Sequence, residues 1–136
     1  MLRGYDRRRA LLVEDNAEVR DVLADILRQD GWDIAVAANG LEAVTTFVNQ
    51  RFHVVITDLE MPHVDGLEVT RRFRGSGAVV ILLTGWGVTV SDEELAAAGI
   101  ARVVSKPTRR AELIRLVREA ISSSGGTQGF QGPRGA

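Results

Sequence analysis

The sequence predicts an α/β fold in which helices cover both faces of a doubly wound parallel sheet. Five short apolar runs alternate strictly with five segments of helical periodicity, the pattern of α/β domains. The third and fourth runs, residues 53–57 and 78–83, carry apolar residues at successive positions rather than at alternate ones. Such strands are typical of a parallel sheet that is buried on both faces. Right-handed crossovers between the strands then give the doubly wound arrangement.

Each element follows from local periodicity and from cap residues. The strands are predicted at residues 10–13, 34–37, 53–57, 78–83 and 102–104. The helices are predicted at residues 17–29, 39–48, 66–73, 91–99 and 108–121. Two residue pairs resemble capping boxes at helix starts, Asn39 with Glu42 and Ser91 with Glu94. Thr108 is expected to cap the last helix, and Gly31 and Gly99 suit helix C-termini.

The composition fits one compact domain. The chain has 136 residues and a net charge of −1, which argues against wholesale nucleic-acid binding. Disulfides and thiolate metal sites are excluded because the chain has no cysteine. No apolar run approaches the roughly 20 residues of a membrane span, and we expect a cytoplasmic location without membrane contact. The expected division is a basic lead-in at 1–9, a folded domain at 10–122 and a disordered Gly/Ser/Gln tail at 123–136.

Polar and charged residues follow four of the five predicted strands. Glu14 and Asp15 follow the first strand, Asp58 the third, Thr84 the fourth and Lys106 the fifth. Ligands of doubly wound sheets bind at the carboxyl ends of the strands, so these side chains are expected to converge. Lys106 is also the only lysine among 17 basic residues. Each residue alone has a simpler explanation, such as a solvated acidic pair or a turn aspartate, but their joint placement favours a site.

The chemistry of this set points to phosphoryl transfer. Clustered carboxylates need a cation because like charges raise one another's pKa. Without histidine or cysteine beside them, they favour Mg²⁺ or Mn²⁺ over zinc. An aspartate can act as a nucleophile and form an acyl phosphate. The metal, a lysine ammonium and a threonine hydroxyl would then stabilise the transferring oxygens.

Four motifs resemble those of response-regulator receiver domains. Residues 58–66 (DLEMPHVDG) resemble the phosphoacceptor loop, and residues 12–16 (LVEDN) resemble the acidic first-strand motif. Residues 82–85 (LLTG) and 105–107 (SKP) resemble the threonine and lysine motifs. The resemblance runs from about residue 10 to residue 122 and implies a flavodoxin-like sheet with the strand order 2-1-3-4-5.

The resemblance implies a Mg²⁺-dependent phosphoacceptor. Asp58 would take a phosphoryl group from a phosphohistidine on a histidine kinase or a histidine phosphotransfer protein. Asp15, Asp58 and the backbone carbonyl of Glu60 would bind Mg²⁺ directly, or Mn²⁺ in its place. Glu14 would act through a metal-bound water, and Lys106 would pair with the phosphoryl group or with Asp58.

The resemblance also implies a switch. Thr84 would shift toward the phosphoryl group and carry the signal to a protein target on the face of the fourth helix, fifth strand and fifth helix. Glu60 and Trp86 would influence hydrolysis of the acyl phosphate, and the bond between Lys106 and Pro107 would be cis. Receiver domains usually carry an aromatic residue where this chain has Val103. In that family the aromatic side chain swings between an outward and an inward rotamer as the threonine moves. Valine is short and stiff at χ1, so it cannot signal phosphorylation by such a rotation. Trp86 or a backbone shift would then be the relay.

Three alternatives stay open. The chain is either a stand-alone receiver or a module of a larger regulator or hybrid histidine kinase, whose receivers carry a segment similar to residues 84–87. A Mg²⁺-dependent aspartyl-phosphate phosphohydrolase is disfavoured, because such enzymes usually carry an Asp-x-Asp motif after the first strand. A receiver-like adaptor that is never phosphorylated is the third. We expect a signalling switch rather than an enzyme, with no DNA binding by this chain.

A homodimer is also left open by the sequence. Four apolar residues late in the chain would support dimerisation if they were exposed, Leu95, Ala96, Val103 and Val104. Their apolar character is more simply explained by burial, and we expect them to belong to the core.

Overall fold

Five parallel strands form one sheet at the centre of the molecule. A computed structural model of the chain describes residues 8–61, 64–85 and 90–125, with side chains described up to residue 122. The strands are β1 (Arg9–Val13), β2 (Asp33–Ala37), β3 (Val54–Asp58), β4 (Val79–Thr84) and β5 (Ile100–Ser105). Their order in the sheet is β2-β1-β3-β4-β5, and every neighbouring pair is parallel. The predicted fold class and strand order are confirmed.

Several strand boundaries differ from the predicted ones, and two of the differences concern the carboxyl ends. β3 and β4 each run one residue further than predicted, so Asp58 and Thr84 are the last residues of their strands. The extension follows from pairing, because Asp58 lies opposite Leu83 and Thr84 lies opposite Ser105. β5 has six residues and a register shift near its start, which local periodicity did not reveal.

The helices are α1 (Ala17–Gln29), α2 (Gly40–Glu42), α3 (Gly66–Phe73), α4 (Asp92–Ala98) and α5 (Arg110–Gly125). Four of them follow a capping residue whose side chain accepts a hydrogen bond from the backbone N–H three residues later. These capping residues are Asn16, Asn39, Asp65 and Ser91. Such bonds satisfy N–H groups that the first helical turn leaves without partners. The bounds predicted for α1 and α3 and the complete capping box predicted at Ser91 are confirmed.

The second helix differs in kind from the prediction. α2 has only three residues and continues as a π-helical turn over Ala43–Phe47. This turn contains Val44, Thr45 and Thr46, whose β-branched side chains are poorly suited to a regular helix. The Thr45 hydroxyl donates to the Leu41 carbonyl at 2.8 Å, a contact that often bends helices. The capping residue Asn39 was predicted correctly, but the helix it opens is shorter than expected.

The last helix begins at Arg110, two residues after the predicted start at residue 108, and ends at Gly125 instead of residue 121. The backbone N–H of Leu113 donates to the carbonyl of Arg109 at 2.9 Å, which makes Arg109 the cap position. The hydroxyl of Thr108 lies 3.5 Å from the same Arg109 carbonyl. The prediction that Thr108 caps the helix is therefore wrong by one position.

Two apolar layers hold the helices against the sheet. The layer beneath α1 and α5 includes Leu12, Leu27, Ile56, Ile81 and Leu113. The opposite layer, beneath α2 and α3, includes Leu11, Val13, Val55, Val69 and Phe73. Burying each of these larger side chains contributes roughly 1.5–3 kcal/mol. Alternate residues of β1 and β3 enter opposite layers. Every residue of β3 and β4 is buried, which confirms the prediction that these two strands are buried on both faces.

Some predictions concern parts of the chain outside the described residues. Trp86 is among them, as are most of the predicted basic lead-in and most of the predicted tail. Within the described residues, no helix combines the length and the apolar character that crossing a membrane requires.

Candidate functional site

The carboxyl ends of β1 and β3 bring three acidic side chains together. Glu14 and Asp15 directly follow β1, and Asp58 ends β3, which lies beside β1 in the sheet. One carboxylate oxygen from each of the three residues lies within 4.8 Å of the other two. The sequence prediction that these residues converge agrees with this arrangement, which we call the acidic cluster.

Lys106 brings a positive charge into the acidic cluster. Its Nζ donates to Asp58 Oδ2 at 3.0 Å and to Glu14 Oε1 at 3.1 Å. The backbone N–H of Lys106 donates to the carbonyl of Thr84 at 2.8 Å, which continues the pairing of β4 with β5 and directs the chain toward the cluster. The following bond to Pro107 is cis. Lys106 thus bridges two carboxylates that come from different strands.

Burial controls the electrostatics of the cluster. Glu14 is 0% exposed and Asp58 is 3% exposed, whereas the Lys106 side chain is 24% exposed. Burial raises the pKa of Glu14 above its ordinary value of 4.5, against hydrogen bonds from Asn16 and Lys106 that lower it. Burial alone would lower the pKa of Lys106, but the hydrogen bonds and charges of Asp58 and Glu14 raise it above 10.5. Lys106 therefore carries its charge at neutral pH.

Glu14 is held by all four of its polar groups. Its backbone N–H donates to the Ala37 carbonyl at 3.1 Å, and its carbonyl accepts from Arg20 Nη1 at 3.0 Å. Its second carboxylate oxygen accepts from the backbone N–H of Asn16 at 3.1 Å, while the first binds Lys106. The carboxylate of the exposed Asp15 makes no hydrogen bond or ion pair with another described residue. Glu14 is therefore a fixed anchor, and Asp15 is the available ligand.

Sequence reasoning missed two residues that shape the site, Asn16 and Arg20. Asn16 was quoted only as part of a motif, although its backbone binds Glu14 and its side chain caps α1. Arg20 lies on α1 and reaches back to a backbone carbonyl. A side-chain contact with a main-chain oxygen leaves no residue pairing to recognise in a sequence, so no signal singled Arg20 out.

Two glycines fix the loop between β3 and α3. A Cβ added to Gly66 would lie 2.2 Å from the Asp58 carbonyl oxygen. A Cβ added to Gly40 would lie 2.0 Å from the Val64 carbonyl oxygen. The backbone of the loop therefore lies too close to positions 40 and 66 for any residue with a Cβ to fit there. Inside the loop, the backbone N–H of the exposed Glu60 lies 3.4 Å from Asp58 Oδ1.

The predicted switch residues Thr84 and Val103 lie on β4 and β5. Thr84 is buried, and its hydroxyl makes no hydrogen bond to another residue in the described part of the chain. Val103 is 38% exposed on β5, and Ala96 is exposed on α4, so the expectation that both belong to the core is wrong. Val103 lies on β5, the edge strand of the sheet, and Ala96 lies on α4, which packs against β5, whereas Val104 is buried as expected.

The donor set of the acidic cluster fits a hard divalent cation. All three potential ligand atoms are carboxylate oxygens, which Mg²⁺ prefers. Three carboxylates and one ammonium leave a formal charge of −2 (three negative charges and one positive), which one divalent ion balances. The residues present therefore fit the predicted metal.

Among the concavities that described residues line, one adjoins the site and another lies apart from it. A groove of about 450 Å³ separates α1 from the segment after β5, and its lining includes Val19, Val22, Lys106 and Pro107. A larger hollow of about 810 Å³ runs along α5 but shares no lining residue with the acidic cluster. The smaller groove therefore borders the site through Lys106.

Comparison with protein families gives a match over most of the chain. A family model described as the response regulator receiver domain matches residues 10–118. The DNA-binding response regulator MtrA of Mycolicibacterium paratuberculosis is 34% identical over 116 residues, which cover 85% of this chain and 52% of MtrA. A response regulator receiver protein of Anaeromyxobacter sp. is 37% identical over 105 residues, covering 74% of this chain and 43% of that protein. The chain thus spans about half the length of these curated relatives.

Solved structures show the same architecture. The receiver domain of the sensor histidine kinase PA1611 from Pseudomonas aeruginosa is 32% identical, with a TM-score of 0.75. The alignment covers 85% of this chain and 98% of that domain, whose crystal structure has a magnesium ion coordinated in the active site cleft. A signal receiver domain from Vibrio parahaemolyticus superposes with a TM-score of 0.81 at 22% identity, covering 93% of this chain and 99% of that chain, which supports the fold alone.

Proposed function

The chain belongs to the response regulator receiver domain family of two-component signalling, and from this premise we propose that Asp58 is its phosphoacceptor. The observation that carries the proposal is the contact between Lys106 and Asp58 inside the acidic cluster. The buried carboxylate of Asp58 lies beside the only lysine of the chain, at the carboxyl end of a central strand, which suits a nucleophile.

The proposed reaction moves a phosphoryl group from a phosphohistidine to Asp58. A carboxylate oxygen of Asp58 forms a bond to phosphorus while the bond between phosphorus and the histidine nitrogen breaks. The nitrogen keeps the electron pair, and the imidazole leaves as a neutral ring once it holds one proton. Hydrolysis later returns the site to its first state, because water attacks phosphorus and releases inorganic phosphate and the Asp58 carboxylate.

Each neighbour has a proposed task in this reaction. Lys106 holds a positive charge where the phosphoryl oxygens gather, and the Thr84 hydroxyl donates a hydrogen bond to one of them. Asp15, Asp58 and the Glu60 carbonyl would hold Mg²⁺ or Mn²⁺, with Glu14 acting through water. A bound divalent cation would neutralise negative charge on the transferring oxygens. The magnesium ion in the similar PA1611 receiver domain supports this choice of metal.

The experiment that tests the function is labelling with a small-molecule phosphodonor. We expect acetyl phosphate to add one phosphoryl group to the native chain in the presence of Mg²⁺, and none after chelation. Asp58→Asn should abolish labelling because the amide is a poor nucleophile. Asp65→Asn is the matched control on the same loop, since asparagine caps a helix as well as aspartate does. Equal labelling of Asp58→Asn and the native chain would refute the proposal.

We propose that the chain acts as a signalling switch and does not catalyse the hydrolysis of phosphate esters. Glu14, Asp15 and Asp58 line neither the larger concavity nor the groove beside Lys106. Sustained turnover of a generic phosphate monoester, lost in Asp58→Asn, would instead support the phosphohydrolase alternative.

The partners follow from the same reaction. A histidine kinase or histidine phosphotransfer protein in the cytoplasm is the proposed donor, and the groove beside Lys106 is its proposed docking surface. Val22 on the rim of this groove is 58% exposed, and with Val19, Leu23 and Pro107 it gives the groove an apolar lining that a partner would cover. The face of α4, β5 and α5, with its exposed Val103, is the proposed contact for a downstream protein or a second copy.

The proposed unit of function is the domain at residues 10–122. The match of the family model to residues 10–118 supports this division. The longer relative MtrA is a DNA-binding response regulator. We assign no DNA binding to this unit, whose proposed contacts are with proteins.

A further inference from the structure

Two hydrogen bonds made by neighbouring residues hold the peptide groups on either side of Asp15. A residue's backbone conformation is the relative orientation of the two planar peptide groups that flank it. The peptide before Asp15 is held through the Glu14 carbonyl, which accepts from Arg20 Nη1 at 3.0 Å. The peptide after it is held through the Asn16 N–H, which donates to Glu14 Oε2 at 3.1 Å. Both peptide groups that flank Asp15 are therefore held in place, while the Asp15 carboxylate remains available to bind a ligand.

Arg20 is the remote member of this arrangement. β1 ends at Val13, so the Glu14 carbonyl lies beyond the last residue of the strand. Arg20 projects from the second turn of α1 and supplies the donor, and its own backbone N–H binds the Asn16 carbonyl at 2.8 Å. The contact therefore ties the peptide that precedes Asp15 to a rigid helix.

We propose that Arg20 is a positioning residue of the divalent-cation site, which sets the direction of the Asp15 carboxylate and thereby the affinity for the metal. The proposal rests on the proposed function, because it requires that the acidic cluster bind a divalent cation. Arg20 contacts neither the metal nor a phosphoryl group. Residues that orient metal ligands typically change affinity by about 10- to 100-fold when they are replaced.

The sign of the effect separates positioning from simple electrostatics. Arg20 is a cation close to the acidic cluster, and a nearby positive charge opposes the binding of a divalent cation. If charge were its whole effect, removing it would tighten metal binding. If Arg20 orients Asp15, removing it weakens metal binding despite the more negative site. A neutral replacement therefore moves the affinity in opposite directions under the two explanations.

The test is a titration of the full chain with Mn²⁺, in which the electron paramagnetic resonance signal of free Mn²⁺ measures binding. Arg20→Gln is the main variant, since glutamine is a good helix former but is too short to reach the Glu14 carbonyl. Arg20→Lys keeps the charge and most of the reach. Arg115→Gln is the matched control, because Arg115 is an exposed helical arginine whose ion pair with Glu119 lies on α5. Thermal unfolding of each variant reports whether the fold is retained.

We expect Arg20→Gln to bind Mn²⁺ about 10-fold more weakly than the native chain, Arg20→Lys to lie between them, and Arg115→Gln to match the native chain. Unchanged or tighter binding by Arg20→Gln would overturn the role of Arg20 alone. If Arg20→Gln does not stay folded, Arg20→Lys serves as the test. Tighter Mn²⁺ binding by Arg20→Lys than by the native chain would then overturn the role of Arg20. If the native chain binds no Mn²⁺ and Asp58→Asn gives the same result, the proposed function is overturned as well.

Discussion

Glu14 and Lys106 show how single residues divide the work of the site. The compact ammonium of Lys106 reaches two carboxylates at once, which suits a point charge better than the planar fork of arginine. Glu14 is completely buried and uses every polar group it has, so it fixes the geometry around it. The free carboxylate at the edge of the cluster is Asp15.

The burial of Glu14 leads to a pH-dependent prediction. Because its folded pKa is raised above 4.5, the folded chain binds this proton more tightly than the unfolded chain does. The stability that Glu14 contributes is therefore fully present below pH 4.5 and is lost as the pH rises through the raised pKa. Relative to Glu14→Gln, the native chain should lose stability over that window, by at most about 1.4 kcal/mol per pH unit.

Urea unfolding of both proteins in metal-free buffer, from below pH 4.5 to neutrality, measures this difference. Using the difference between the two proteins removes the contributions of groups that both share. A difference in unfolding free energy that stays constant with pH would show that the Glu14 pKa is not raised in the folded chain.

At this scale, part of the site could be read from the sequence and part could not. Asp15, Asp58, Thr84 and Lys106 are recognisable because each lies at or just after the end of a strand in a fold where ligands bind there. The role of Arg20 depends on a contact with a main-chain oxygen six residues earlier, and the anchoring role of Glu14 depends on burial. Neither this contact nor this burial can be recognised in the local sequence.

Among the secondary-structure elements, the loop between β3 and α3 depends most on backbone clearance. Gly66→Ala should lower the unfolding free energy by about 1–3 kcal/mol, because the new Cβ overlaps the Asp58 carbonyl and displaces the end of β3. The same displacement should abolish labelling by acetyl phosphate.

Gly75→Ala is the matched control for this prediction. Gly75 has a φ of +84° and nothing within 4 Å of an added Cβ, so alanine there adds only left-handed backbone strain of about 1–2 kcal/mol. Urea unfolding should show comparable losses of stability, with labelling retained in Gly75→Ala alone. Normal labelling of a folded Gly66→Ala protein would contradict the account of the loop.

Helix α1 provides the test of the proposed docking surface. Val22→Asp should slow phosphotransfer from a protein phosphodonor by about tenfold or more, equivalent to ~1.4 kcal/mol of lost binding energy. Labelling by acetyl phosphate should be unchanged, because Val22 lies on α1 and belongs neither to the acidic cluster nor to its ion pair with Lys106. Leu41→Asp is the control, since Leu41 is another exposed apolar residue but lies on α2. An equal effect of both substitutions would argue against a specific docking role for α1.

The elements also show where sequence patterns succeed and fail. α1, α3 and α4 were located closely because their caps are local, as the Ser91 capping box illustrates. The π-helical turn after α2 and the register shift at the start of β5 result from packing and pairing over longer distances. Local periodicity carries no information about either feature.

Across the whole molecule, the acidic cluster and the face of α4, β5 and α5 are connected through β4 and β5. The Thr84 carbonyl binds the N–H of Lys106, and Leu82 on β4 lies opposite the exposed Val103. A side chain of Arg74 that donates to the Ala97 carbonyl also ties the end of α3 to the end of α4. These contacts give a continuous path between the proposed phosphoacceptor and the proposed output face, without an aromatic side chain at position 103.

The central claim at this scale is that one aspartate carries the switching chemistry, and a chemical trap tests it most directly. Borohydride reduces the carbonyl of an aspartyl phosphate to an alcohol, which converts that aspartate to homoserine and can be located by peptide mass spectrometry. After incubation with a phosphodonor and Mg²⁺, we predict homoserine at position 58, and none when either reagent is omitted. Homoserine at another aspartate, or phosphoryl incorporation without homoserine at position 58, would contradict the account.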